Sequence, residues 1–135
     1  MIFVDTSFWV AARMRRDAHH RDAVELLERR RDHPLVTSNQ VRGETWTFLR
    51  RRDGHDGAVA FLDMLARTPR VTVEPVPASL EEQALRWLRR HDEREYSFVD
   101  ATSFAFMRAQ RVREALAFDG DFTAAGFTEL RPRPA

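Results

Sequence analysis

The first ten residues read MIFVDTSFWV (residues 1–10): an apolar tetrad, Asp5, the hydroxyls of Thr6 and Ser7, and a second apolar run. Four consecutive apolar side chains without alternation mark a strand covered on both faces, as in a parallel sheet. A strand of that kind that stops on a carboxylate needs a reason for the carboxylate. The same pattern returns near the other end of the chain, where EALAF (114–118) runs into Asp119. PLVT (34–37) and RVTVEPV (70–76) read as further strands, the second alternating and proline-bearing and therefore nearer an edge.

Helical periodicity separates these runs. Ala58, Phe61, Leu62 and Leu65 form one apolar stripe, and Leu80, Ala84, Trp87 and Leu88 form another, with Ser79 and Glu82 spaced as a capping box for the second. Strands alternating with helices predict an α/β fold with a mostly parallel sheet. In such sheets ligands gather at the carboxyl ends of the strands, near the point where strand order reverses. Asp5 and Asp119 both fall on that edge. Taken singly, Asp5 also reads as a helix N-cap and Asp119-Gly120 as a turn.

Composition narrows the chemistry. The 135 residues suit one domain, which we place at 1–130 with a frayed tail over 131–135; a chain of this length buries roughly two-thirds of its unfolded surface. There is no cysteine, hence no disulfide framework and no thiolate metal site. The N-terminus lacks a basic leader, and no apolar run approaches the roughly 18 residues of a membrane span, so a soluble cytoplasmic protein with no membrane partner is expected. Basic and acidic residues nearly balance, 22 against 21, and every basic one is arginine. Without lysine or a glycine-rich loop, P-loop chemistry is excluded, and phosphoryl transfer by a strand-end Asp with a Lys is disfavoured.

Two more acids join the strand-end pair. In SNQVRGETWTFLRRR (38–52) the apolar face runs Val41, Thr45, Phe48, Leu49 and carries Glu44 with it. In SFVDATSFAFM (97–107) the helix is apolar nearly all round, and Asp100 stands in its first turn, spaced from Ser97 as in a capping box. Two carboxylates about 4 Å apart repel by roughly 4 kcal/mol at an effective dielectric near 20. An apolar-walled group of four therefore needs protons or divalent cations, and oxygen-only ligands favour Mg²⁺ or Mn²⁺.

The segments MIFVDTSFWVA, VRGETWTFLRRR, SFVDATSFAFMRAQ and ALAFDGDFTAAGF, in this order and spacing, resemble the PIN-domain ribonucleases, in particular the VapC-type toxins of bacterial toxin–antitoxin pairs. The resemblance spans nearly the whole chain. It implies a three-layer α/β/α sandwich, a Mg²⁺- or Mn²⁺-dependent endoribonuclease acting on an RNA substrate, and a cognate antitoxin as protein partner, and it leaves room for a homodimer. Residue by residue it implies catalytic acids at Asp5, Glu44, Asp100 and Asp119, with metal held by Asp5, Asp100 and Asp119. Thr6 or Ser7 corresponds to the hydroxyl that supports the first acid. Many members carry threonine two places before the fourth acid, where this chain has Ala117, and Asp121 competes with Asp119 for that position. A divalent ion at such a cluster activates water for in-line attack on a phosphodiester, leaving a 5′-phosphate.

Of the arginines, Arg13, Arg15, Arg16 and Arg42 are the better candidates for phosphate contacts; Arg29–Arg31, Arg50–Arg52, Arg89, Arg90, Arg111 and Arg113 fall at helix ends, where cations complement the dipole. The five histidines lack metal-ligand spacing and read as surface or loop residues, and Trp9, Trp46 and Trp87 as packing. A catalytically silent PIN-like module, binding RNA or serving regulation with an antitoxin, is the alternative. A structure-specific DNA nuclease of the same broad fold would need insertions that this length does not allow.

Overall fold

The opening tetrad forms the central strand. A computed structural model describes residues 1–133, and in it every residue of β1 (Ile2–Val4) is buried. Asp5 ends the strand and caps α1 (Thr6–Arg13), its carboxylate accepting the Ser7 N–H. There follow α2 (His20–Arg29), β2 (Leu35–Ser38), α3 (Asn39–Arg52), α4 (Gly54–Arg67) and β3 (Val71–Glu74). The remainder is α5 (Ala78–Arg90), α6 (Phe98–Gln110), β4 (Glu114–Leu116), α7 (Asp121–Ala124) and β5 (Thr128–Glu129).

The strands lie in the order β3-β2-β1-β4-β5 and every pairing is parallel. The chain winds from β1 outward to β3, then crosses back to lay β4 against the other side of β1. Strand order therefore reverses between β1 and β4, which opens the crevice where α/β sheets bind ligands. Phe3 and Val4 pair with Ala115 and Leu116, and the Asp5 N–H reaches the Leu116 carbonyl at 3.0 Å, so the two strands finish level. Aromatic side chains fill the interior: Phe3 meets Phe106 of α6 at 5.8 Å, and Trp9 meets Phe61 of α4 at 5.9 Å. Within α6, Asp100 through Met107 are all buried, as its all-round apolar pattern requires.

Four details depart from the sequence expectations. Helix α5 begins at Ala78 behind Pro77, with no side-chain cap; Ser79 lies already inside the first turn, and Glu82 faces Arg86 instead. Strand β4 stops at Leu116, two residues short of the apolar run, because the chain bends there and the Phe118 N–H turns to the Ser7 hydroxyl. Helix α7 and the short β5 carry too little periodicity to be read from sequence. Of the expected tail, Arg131 donates to the Ala117 carbonyl at 2.8 Å and Arg133 pairs with Asp22 and Glu25; residues 134 and 135 lie outside the described residues. Among the described residues no helix is long and apolar enough to cross a membrane.

Candidate active site

The level ends of β1 and β4 are joined by one hydroxyl. Ser7 Oγ donates to Asp5 Oδ2 at 2.7 Å and accepts the Phe118 N–H at 3.0 Å, while the Ser7 N–H also donates to Asp5 Oδ2. Of the two hydroxyls expected to support Asp5, the structure therefore uses Ser7. Thr6 instead accepts from Thr45 of α3 at 3.2 Å, which fixes the turn carrying Glu44 against the start of α1. Opposite them α6 opens with a full capping box: Asp100 receives the Ser97 N–H, and Ser97 Oγ receives the Asp100 N–H, both at 2.9 Å.

These placements bring Asp5, Glu44, Asp100 and Asp119 to the wall of a single cavity of about 580 Å³, together with Thr6 and Ser7. Asp5 and Asp100 are only 2% and 7% exposed; Glu44 is half-buried. Carboxylate oxygens of Asp100, Asp119 and Asp121 lie within 4.8 Å of one another. Both readings of Asp5 and Asp100 hold at once, since each caps a helix and each faces the cavity. In both, the cap bonds go to one carboxylate oxygen, Oδ2, and the Asp5 carboxyl also meets that of Asp119.

Burial, and after it crowding, shows in the protonation. Burial holds the Asp5 carboxyl well above the ordinary carboxylate range, the charge of Asp119 raises it further, and the Ser7 hydrogen bonds act in the opposite direction. Asp100 is pushed up to about 7, mainly by burial, with Asp119 and Asp121 adding and the Ser97 bonds opposing. Asp119 is raised by burial and by Asp121 and Glu129, against the Asp121 N–H that its carboxylate accepts. The cation at hand is Arg94, and it serves Asp121: Nε donates to Asp121 Oδ1 at 2.8 Å, and Nη2 to the Asp119 carbonyl at 3.2 Å. Gly120 lets it approach, with φ at +82° and room so limited that a Cβ would meet Arg94 Nη2 at 3.3 Å. Asp121 is thus engaged by an arginine, whereas among the described residues Asp5, Asp100 and Asp119 have no salt-bridge partner. An all-oxygen, mutually repelling set suits a hard divalent ion such as Mg²⁺ or Mn²⁺.

The predicted substrate arginines fall elsewhere. Arg42 lines a separate cavity with Leu62, Leu65, Ala66 and Val73, because two residues along a helix turn the side chain about 200° away from Glu44. Arg13 ends α1 and does not line the acid cavity. Arg51 and Arg52 do adjoin it: they line a neighbouring cavity that shares Glu44 and Phe48 with the first. On an α3 of 14 residues, the spacing of seven from Glu44 to Arg51 is close to two full turns, so the helix repeat could have pointed to them. His19, read as a loop residue, lines the acid cavity as well. Trp9 is buried and Trp87 packs against His91, Tyr96 and Phe104, in keeping with packing roles.

An acid cluster at the β1/β4 crevice of an all-parallel five-stranded sheet defines a class of protein. The model of the PIN domain matches residues 2–128, and the chain belongs to the PIN-domain family. Its similarity to particular members is high. Over 133 residues it is 59% identical to the 23S rRNA-specific endonuclease VapC20 of Mycobacterium tuberculosis, in strains CDC 1551 / Oshkosh and ATCC 25618 / H37Rv alike, covering 98% of this chain and 99% of the relative. The crystal structure of Mycobacterium tuberculosis VapC20, described as a sarcin-ricin loop cleaving toxin, matches with a TM-score of 0.91 and 57% identity over 98% of this chain and 100% of that one. The resemblance drawn from the four acid-bearing segments is borne out.

Proposed function

We propose that this chain is a VapC-type endoribonuclease toxin that cuts 23S rRNA at the sarcin-ricin loop, with Asp5, Glu44, Asp100 and Asp119 as its acid set. The reading is supported above all by the convergence of those four acids on one cavity, three of them held above the ordinary carboxylate range and, among the described residues, paired with no cation. Asp5, Asp100 and Asp119 would hold Mg²⁺ or Mn²⁺, with Glu44 at the cavity wall. A divalent ion bound there supplies an acidified water and offsets the charge of the scissile phosphate.

The chain's own groups orient the donors. Ser7 fixes Asp5, the Ser97 N–H fixes Asp100, and the Asp121 N–H holds Asp119. Arg94 occupies Asp121 Oδ1, and Asp119 rather than Asp121 lines the cavity with the other acids, which favours Asp119 as the fourth acid. Arg51 and Arg52, on the adjoining wall, suit the RNA backbone on its way to the acids. A cognate antitoxin is the expected protein partner, and the cytoplasm, where ribosomes lie, the expected site of action.

Purified protein should cleave a sarcin-ricin-loop hairpin in Mn²⁺ and not in EDTA. Asp100→Asn and Glu44→Gln should each abolish cleavage while circular dichroism stays that of the parent. Retained cleavage by purified Asp100→Asn protein would sink the acid set, and a parent that binds the hairpin without cutting it would establish the silent module.

A further inference from the structure

Beside the acids stands a group that none of the roles above uses. His19 is exposed, yet it is held in place by its neighbours. Its N–H donates to Asp17 Oδ1 at 2.8 Å, closing an Asx-turn, and the next residue is anchored by a 2.7 Å contact between His20 Nδ1 and the Ala11 carbonyl. His19 occupies the N-cap position of α2 but makes no side-chain cap, so local helix chemistry does not account for the imidazole. The ring lies flat on Phe118 instead, centroids 4.5 Å apart and planes within 5°. Phe118 stacks in turn near Phe8, at 5.6 Å and 19°, and carries the Arg131 guanidinium over its ring at 5.0 Å.

Phe118 immediately precedes Asp119, and its N–H is the one bound by Ser7. The aromatic column is therefore built onto the same backbone as the acids, and it ends in an exposed planar ring on the wall of their cavity. Apolar cover alone would call for an aliphatic side chain. A flat, exposed, pre-positioned ring next to a phosphate-handling site has the properties of a nucleobase platform, since RNA-binding sites stack unpaired bases on aromatic and histidine side chains.

We propose that His19, backed by Phe118, is a base-stacking residue that receives an unpaired nucleobase of the RNA beside the scissile phosphate. The proposal rests on the endoribonuclease reading and deepens it, by assigning substrate positioning to a residue outside the acid set. Stacking registers one nucleotide against the acids, so a cut at a chosen bond in a loop follows without a hydrogen-bond code for every base.

The test uses sarcin-ricin-loop hairpins bearing 2-aminopurine at unpaired positions flanking the cleaved bond. Binding is followed in an Asp100→Asn background, where the hairpin is not cut, for His19→Ala, His19→Leu and His19→Phe. Alanine and leucine should weaken binding about 5- to 150-fold, the range for loss of one stacked base, and should remove the fluorescence quenching at one position. Phenylalanine should retain both. Leucine keeps Phe118 covered, so a loss with leucine at an unchanged melting temperature separates stacking from folding. Unaltered affinity and quenching in His19→Leu overturn the proposal, as does a His19→Phe variant as weak as His19→Leu. Because cleavage by the parent is measured separately, absence of RNA cleavage would overturn the enzyme reading, whereas a cleaving parent with His19-independent binding would overturn this inference alone.

Discussion

At the scale of single residues, a helix cap and a cavity acid prove to be one and the same group. Asp5 and Asp100 satisfy the orphan N–H donors of α1 and α6, and the helix N-termini in return hold each carboxylate at a fixed angle to the cavity. Their protonation gives this arrangement a measurable sign. In the unfolded chain Asp100 titrates at the ordinary 3.8, and in the fold at about 7, so the native state binds its proton more tightly. Asp5 shifts in the same direction. Their contribution to stability is therefore fully present below about pH 4 and is lost as pH rises through about 7. In EDTA the urea midpoint should fall between about pH 4 and about pH 7, and Asp100→Asn should flatten that fall. A midpoint that climbs over the same interval would show that burial and the neighbouring charges do not raise these acids.

At the scale of elements, the site is the junction of β1, α1 and the end of β4, and Ser7 is the clip between them. Ser7→Ala removes the hydroxyl's bonds to Asp5 and to the Phe118 N–H together and leaves the backbone N–H bond to Asp5. It should cost about 1 to 3 kcal/mol in urea unfolding and lower cleavage about 10- to 100-fold, as loss of a bond that orients a metal ligand does. Cleavage at the parental rate would mean that Asp5 needs no orientation from Ser7. The elements also show what could be read from sequence. Strand ends at Asp5 and Asp119 were legible because parallel strands announce themselves as apolar runs, and Asp100 because a capping box has fixed spacing. The exact end of β4 was not, since the bend after Leu116 is imposed by a hydroxyl 111 residues away. Arg42 seemed close to Glu44 in sequence but lies round the helix from it, and Arg51 and Arg52, about two turns on, are the ones that line the adjoining cavity. His19 had no pattern of its own, because its partner Phe118 comes from the far end of the chain.

At the scale of the whole molecule, a net charge of +1 leaves little overall field to gather RNA, so local charge decides both binding and stability. The strand order places β1 and β4 at the centre of the sheet, and the fold thereby forces its carboxylates together at its own switch point. Metal-free protein carries that repulsion in its folded state only. On the proposed reading a divalent ion would bind the native cluster and would have no equivalent site in the unfolded chain, so it would stabilise the fold by mass action. At about 100 times the dissociation constant the gain is roughly 2.7 kcal/mol, which for a domain near this size raises the melting temperature by about 5 to 10 °C. Asp5→Asn takes one charge out of the cluster and keeps a side chain that caps about as well. In EDTA the variant should melt at or above the parent, and Mn²⁺ should raise it far less. If the acids were helix caps and nothing more, the substitution would barely move the metal-free melt and neither protein would respond to the ion. A parent that melts at the same temperature in EDTA and in saturating Mn²⁺ would leave Asp5 as a cap alone.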